Sequence, residues 1–250
     1  MLPPDRTLAS RFELKYWLTP ELVGAVRRAI RPFVRPDRYA VNRPGYRYPL
    51  SSLYLDNSSL DLYQTTVDGQ RNRFKLRIRS YGDAPEAPVF CEVKRRTNLV
   101  VLKSRARVER AVAMRFLRGE PVHADLPSSF AEFTQLAQRI RAHGVLRVRY
   151  EREAYESKGR DPVRITIDTG LMQKPTPVPD LSLGGSGWCE VPIPSPILEV
   201  KFTDACPAWV RGMVQSLSLE RTSIPKYILC VDKALEQRSV TRVSSSPAVT

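Results

Sequence analysis

Residues 71–81 read RNRFKLRIRSY, and four cations in them, Arg73, Lys75, Arg77 and Arg79, alternate with Phe74, Leu76, Ile78 and Ser80. A period of two predicts a β-strand with one apolar and one cationic face. Neighbouring cations on that face lie roughly 6.7 Å apart, two residues of rise. They repel by roughly 2.5 kcal/mol at an effective dielectric near 20, and by about 0.6 kcal/mol in open water. Such a strand either turns its charges to solvent or lines a site in which a polyanion neutralises them.

Other stretches repeat the habit. Arg11–Leu18 puts Arg11, Glu13 and Lys15 opposite Phe12, Leu14 and Tyr16, and 89–96 gathers Glu92, Lys94 and Arg96. Asn98 suits a hairpin turn into 99–110, where Lys103, Arg105, Arg107 and Glu109 share a face. The segment 145–156 carries Tyr150 and Arg152, 162–170 places Arg164, Thr166 and Asp168 together, and 196–203 does so for Glu199 and Lys201. An acid precedes a base by two residues in Glu13/Lys15, Glu92/Lys94 and Glu199/Lys201. The other face of each strand is aliphatic, and helices expected over 21–31, 111–117 and 128–142 can cover it. Thr19 and Pro20 mark the start of the first helix. The expected fold is α+β: a closed antiparallel barrel with its charges inward and helices packed outside. Segments 32–44 and 175–187, rich in Pro or Gly, are expected as loops.

The chain has 40 Lys+Arg against 26 Asp+Glu, a net charge of +14, so its expected partner is anionic. Its four cysteines show no metal-ligand spacing and are expected as reduced thiols in a cytoplasmic protein. No run of residues approaches the roughly 20 apolar positions of a membrane span, so any membrane contact is expected to be peripheral, at the inner face, or through a separate membrane-protein partner. His123 and His143 have no ligand-like neighbours and are expected at the surface. There is no G-x-x-x-x-G-K-[ST] loop to hold a nucleotide.

Rows of Arg and Lys suit phosphoryl binding or transfer, a reaction in which the protein positions and neutralises more than it reacts. Carboxylates in such rows could hold Mg²⁺ or Mn²⁺. Glu13, Glu92 and Glu199 are the metal candidates; the alternative for each is a salt bridge to the lysine beside it.

The motifs RFELKYW, SLYLD, RFKLRIRSYG, EVKRR, LKSRA, RYEREAY, RITIDT, LEVKF and IPKYI, in this order, resemble the VTC (vacuolar transporter chaperone) domain. That is the polyphosphate polymerase branch of the triphosphate tunnel metalloenzymes. The resemblance covers residues 8–235, leaving 1–7 as a leader and 236–250 as a polar tail expected to be disordered. It implies a single domain built as an eight-stranded tunnel, ATP and inorganic polyphosphate as ligands, Mn²⁺ or Mg²⁺ as cofactor, and transfer of the ATP γ-phosphate to a growing chain. Lys15, Arg77, Arg79, Lys94, Lys201 and Lys226 match the family's catalytic cations. Arg73, Lys75, Lys103, Arg105, Tyr150, Arg152 and Arg164 are assigned to phosphate or nucleotide binding, and Glu199 matches the metal-binding glutamate. Where the wider superfamily opens with E-x-E-x-K, Arg11 replaces the first Glu, which argues against a CYTH-type thiamine or adenylate enzyme. The SPX domain and membrane helices of eukaryotic members are not in this sequence.

An ATP:polyphosphate phosphotransferase, monomeric or weakly oligomeric, is the leading expectation. A triphosphate or polyphosphate hydrolase and a non-catalytic polyphosphate-binding module are the alternatives. Nucleic acid is disfavoured, because Tyr16, Trp17, Tyr54 and Phe74 are placed in strands and not among exposed basic residues.

Overall fold

The computed structural model describes residues 11–98, 100–122, 126–159, 162–194, 196–203 and 205–243. The leader and His123 lie outside them, as does the tail beyond residue 243. Each strand predicted from alternation is present: β1 (Arg11–Trp17), β3 (Arg47–Asp56), β4 (Asn72–Ser80), β5 (Val89–Thr97), β6 (Val100–Val108), β7 (His143–Ser157), β8 (Val163–Pro175) and β10 (Ile197–Thr203). Two short strands, β2 (Val34–Pro36) and β9 (Cys189–Glu190), complete the sheet. The helices are α1 (Pro20–Ile30), α2 (Asp61–Val67), α3 (Arg110–Leu117), α4 (Ser128–Arg139), α5 (Ala208–Ser216) and α6 (Lys226–Glu236). Thr19 caps α1, its hydroxyl accepting from Leu22 N–H at 3.4 Å. The cap of α2 comes from outside the helix: the buried Asp56 carboxylate accepts from Leu62 and Tyr63 N–H, each at 2.9 Å.

The hydrogen-bonded strand order is β1-β10-β8-β7-β3-β4-β5-β6, with β2 on β7 and β9 on β8. The pairings β1–β10, β10–β8, β2–β7, β3–β4, β4–β5, β5–β6 and β8–β9 are antiparallel. The expected closed barrel of eight strands is corrected on two counts. The sheet has ten strands, and its hydrogen-bonded path ends at β1 and β6 without joining them. β6 carries Lys103, Arg105 and Arg107, a charged edge of the kind that resists further strand pairing. The extra strands lie in or beside segments that proline marked as loops; Pro36 itself ends β2.

The described chain divides into two compact units, each discontinuous in sequence. One comprises 1–49, 150–171 and 192–225, the other 50–149, 172–191 and 226–250, so β3, β7 and β8 contribute to both. In the first, Val163, Ile165 and Ile167 of β8 and Leu198, Val200 and Phe202 of β10 pack against Val23, Val26 and Ile30 of α1 and Val210 and Met213 of α5. In the second, Leu76 and Ile78 of β4, Cys91 and Val93 of β5 and Ala106 and Val108 of β6 pack under Phe130, Phe133, Leu136 and Ala137 of α4. Both cores use the aliphatic parity of the strands and leave the charged parity on the opposite face. Part of the tail is ordered, contrary to expectation: Arg242 donates to Ser59 O at 2.9 Å and to Gln64 Oε1 at 2.7 Å, and Val243 N–H to Ser58 O at 3.0 Å. All four cysteines are free.

Phe133 is 0% exposed and meets Phe116 edge-on at 5.8 Å. Phe133→Ala is expected to destabilise the protein by about 3–5 kcal/mol. A shift of the denaturant midpoint worth less than about 1 kcal/mol would show that α4 does not anchor this core.

Candidate functional site

The second unit arranges its cations as a lattice. Cross-strand registers align Lys75–Lys94–Lys103, then Tyr54–Arg77–Glu92–Arg105, then Ser52–Arg79–Phe90–Arg107, with Arg73 beside Arg96. Like charges directly opposite are destabilising in a sheet. The lattice holds because Glu92, 1% exposed, sits inside it. One Glu92 oxygen lies 2.6 Å from Arg77, and the other lies 2.7 Å from Lys103 and 3.3 Å from Arg105. Burial pushes the Glu92 carboxyl up, but Arg77, Arg79 and Lys103 outweigh it and hold the group well below the usual carboxylate range. The same field acts on Tyr81: burial raises its hydroxyl, while Arg79 and Arg105 pull it down below its ordinary value.

Tyr54 also belongs to this face. Its hydroxyl accepts from Arg77 at 3.1 Å, and its ring stacks on Tyr227 with centroids 4.6 Å apart. Tyr227 in turn donates to Asp56 at 2.9 Å, and Lys75 lies 5.9 Å over the Tyr227 ring. Lys226, beside Tyr227 in the first turn of α6, is buried. The buried Arg79 donates to Ser52 Oγ at 3.2 Å, and Arg105 stacks 3.7 Å over Phe90. Seven expected cations (Arg73, Lys75, Arg77, Arg79, Lys94, Lys103, Arg105) and one glutamate thus share one face of three adjacent strands.

The first unit repeats the device. Glu199, 5% exposed, is approached by Lys201 at 2.7 Å and by Lys15 and Arg152 at 3.6 Å each. Lys15 also pairs with Glu13 at 3.1 Å and donates to Ile224 O at 3.1 Å. Arg152 is clamped by both oxygens of Asp168, each at 2.7 Å, and reaches Tyr150 Oη at 3.3 Å. Burial alone would favour the uncharged form of Arg152; Asp168, Tyr150 and Glu199 outweigh it and keep the guanidinium charged. Arg164 stands opposite Lys201 in register, but its guanidinium is taken by Asp37 at 2.6 Å and Glu156 at 3.0 Å. It is therefore held by two acids.

Three residues important to this geometry were not among the expected site residues: Asp168, Tyr54 and Tyr227. Asp168 alternates with Arg164 and Thr166, and Tyr54 alternates with Ser52 and Asp56, so a polar period of two could have flagged both. Nothing local marks Tyr227, which enters from a helix far along the chain. Among the described residues no group of three or more His, Cys, Asp or Glu is placed to hold a metal ion.

The Lys103 amine is pushed down to about 7, chiefly by desolvation and by Arg77 and Arg79, against the pull of Glu92. Its stem stays 42% exposed, and water reaching it moderates that shift. A Lys lowered in the folded state binds fewer protons than in the unfolded chain between about pH 7 and 10, so its contribution to stability grows as pH rises through that window. A bound polyanion reverses the shift, and the site should then take up a proton. Calorimetry with inorganic triphosphate near pH 8, in buffers of different ionisation enthalpy, should show more proton uptake by wild type than by Lys103→Arg. Equal uptake would remove Lys103 from contact with the anion.

A family model for the VTC domain matches residues 10–235. Vacuolar transporter chaperone complex subunit 4 of Schizosaccharomyces pombe is 26% identical over 258 aligned positions, which cover 85% of this chain and 35% of that protein. Subunit 2 of the same complex is 26% identical over 191 positions, covering 66% of this chain and 26% of that protein. The chain thus spans about a third of the length of these relatives. Among solved structures, a putative adenylyl cyclase from Hippeastrum, described as having a dominant triphosphatase activity, superposes with a TM-score of 0.51 at 14% identity, covering 90% of this chain and 96% of its own. That likeness concerns the fold alone. With most of its length matched by one family model, and with basic strands that carry the motifs of that family in order, the chain belongs to the VTC domain family.

Proposed function

We propose that this domain binds ATP and inorganic polyphosphate and transfers the ATP γ-phosphoryl group to the end of the growing chain, with Mn²⁺ or Mg²⁺ as cofactor. The observation that carries this reading is the lattice built on Glu92, in which Lys75, Lys94 and Lys103 stand in one row and Arg77 and Arg105 flank the glutamate in the next. A single orthophosphate offers too little charge to offset so many cations, whereas a linear chain of phosphates presents one charge after another along such rows.

In the proposed reaction a terminal oxygen of polyphosphate attacks the γ-phosphorus of ATP. The bond from that phosphorus to the β,γ-bridging oxygen breaks, and ADP leaves with the bonding electrons. Charge develops on the three equatorial oxygens and on the leaving oxygen, where fixed guanidinium and ammonium donors act without reorganising. Arg77 is pre-oriented for this by Glu92 and Tyr54, and Arg79 by Ser52. Lys94 and Lys226 supply further cationic charge in the second unit, and Lys15 and Lys201 do so in the first. Arg73, Lys75, Lys103 and Arg105 bind phosphates; Tyr150 and Arg152 form a second anchor, fixed by Asp168.

Glu13 and Glu199 both reach Lys15 and offer hard oxygen donors, so they fit a divalent ion completed by phosphate and water. Glu92 fits less well, because cations at 2.6, 2.7 and 3.3 Å close on both its oxygens, whereas Lys15 stands 3.6 Å from one oxygen of Glu199; we assign Glu92 to orienting its cations. A bound ion there would offset charge on the phosphoryl oxygens. Arg164, held by Asp37 and Glu156, is assigned a binding role that requires it to leave one of these acids.

Purified protein incubated with ATP and Mn²⁺ should give a ladder of polyphosphates on a gel. Free phosphate alone would point to a hydrolase, and unchanged ATP to a binding module. Arg79→Lys keeps the charge and loses the planar fork. It should lower kcat about tenfold or more, since one charge-assisted contact is worth roughly 1.5–3 kcal/mol. A change confined to KM would make the row an electrostatic funnel. Glu199→Gln should abolish Mn²⁺-dependent turnover and, by leaving Lys201, Lys15 and Arg152 without their buried carboxylate, lower the stability by about 3–5 kcal/mol; wild-type turnover in this variant, assayed below its melting transition, would remove Glu199 from the metal's coordination.

A further inference from the structure

The β5–β6 hairpin contrasts with the rest of the second unit. Val100, Val101 and Leu102 are 54%, 41% and 41% exposed, three consecutive aliphatic residues on a strand that pairs only with β5. Successive strand residues point to opposite faces, so aliphatic side chains emerge on both faces of this tip. A hydrophobic edge of this kind invites aggregation unless something covers it. The registers set Arg96 opposite Val101 and Arg95 opposite Leu102, with Arg73 beside Arg96 on β4. Arg95 pairs with Glu132 at 3.0 Å, whereas Arg96 donates to Asn98 O at 2.9 Å and Arg73 to Gln70 O. Among the described residues no carboxylate comes within ion-pair distance of Arg73 or Arg96. Their mutual repulsion adds to burial in pushing Arg73 below its ordinary value, a strain that an external anion would relieve.

We propose that this hairpin is a membrane-surface anchor: Val100, Val101 and Leu102 enter the acyl boundary of a bilayer, while Arg95 and Arg96 meet the phosphates of anionic lipids. Val101 and Leu102 stand level with Arg96 and Arg95 across the hairpin, so the aliphatic side chains can enter the acyl boundary while the guanidinium groups, on long stems, reach back to headgroup phosphates. A second protein would match an exposed edge strand equally well; guanidinium groups standing beside the aliphatics, that of Arg96 without a carboxylate partner among the described residues, favour a surface of phosphates. No described helix is long and apolar enough to cross a membrane, so this contact would be interfacial. The inference does not depend on the phosphoryl chemistry proposed above.

Co-sedimentation of the whole chain with vesicles tests it. Wild-type protein should bind phosphatidylcholine vesicles containing phosphatidylserine, and bind pure phosphatidylcholine at least about tenfold more weakly. Val101→Ser combined with Leu102→Ser leaves net charge unchanged and should cut binding to the anionic vesicles about tenfold, with circular dichroism and melting temperature as in wild type. Arg96→Gln gives an independent variant should the double substitution unfold the hairpin; it should weaken binding to anionic vesicles only. Wild-type binding by both variants would reduce the interaction to general attraction by a basic protein and overturn the proposal. So would equal binding to both vesicle types. Concentration-dependent self-association that the double variant abolishes, without vesicle binding, would assign the surface to a second copy of the chain instead.

Discussion

A carboxylate buried among cations governs the organisation of each unit. Glu92 would pay several kcal/mol to leave water alone, and Arg77, Lys103 and Arg105 would repel one another without it. Each makes the other's position tolerable. Removing one partner from such a buried network commonly costs about 3–5 kcal/mol, because the charges left behind have no compensation. Glu199 does the same for Lys201, Lys15 and Arg152. Glu92 alone does not neutralise Arg77, Lys103 and Arg105, so that cluster keeps surplus positive charge, whereas around Glu199 the acids Glu13 and Asp168 help to balance Lys15, Lys201 and Arg152.

That surplus explains why the opposite faces of the strands are so uniformly apolar. Leu76, Ile78, Cys91 and Val93 are packed beneath α4 on the reverse of the lattice. Burial of about 1.5–3 kcal/mol per large aliphatic residue supplies the stability that the charged face withholds. Division of labour by strand parity lets one face be selected for stability and the other for chemistry. Tyr54 and Tyr227 are an exception that serves the second role: their stacked rings give Arg77 and Lys75 a surface to lie against without adding acid.

Much of this was legible because the side-chain period of a strand is short and unambiguous. Alternation located β1, β4, β5, β6, β8 and β10 and assigned Arg77, Glu92 and Lys103 to a common face. It also paired Glu199 with Lys201 correctly, at 2.7 Å. The analogous pairing of Glu92 with Lys94 was less informative: Arg77, Lys103 and Arg105, which hold Glu92, lie on the neighbouring strands, which a linear spacing cannot show. Arg164 was assigned to phosphate binding from the family resemblance, and no local motif could show that Asp37, 127 positions away, would reach it. The α6 helix was harder to recognise, since Ser223–Leu235 is apolar on several sides and its residues Tyr227, Ile228, Cys230 and Val231 are all buried. A segment buried all round has no amphipathic signature.

By itself the sequence determined which residues share a face, how positive that face is, and which family the strands belong to. Those properties follow from local periodicity and composition, and each strand displays them alone. Only the tertiary structure decided register, and with it which cation meets which acid. Register is set by packing the aliphatic parity against helices drawn from distant parts of the chain. The same holds for the ends of the sheet: hydrogen bonding from β6 to β1 is a relation between two edges, and no pattern within either strand encodes it. Fold class was therefore readable, whereas the open path from β1 to β6 and the Asp168 clamp on Arg152 depended on contacts that exist only once the chain has folded.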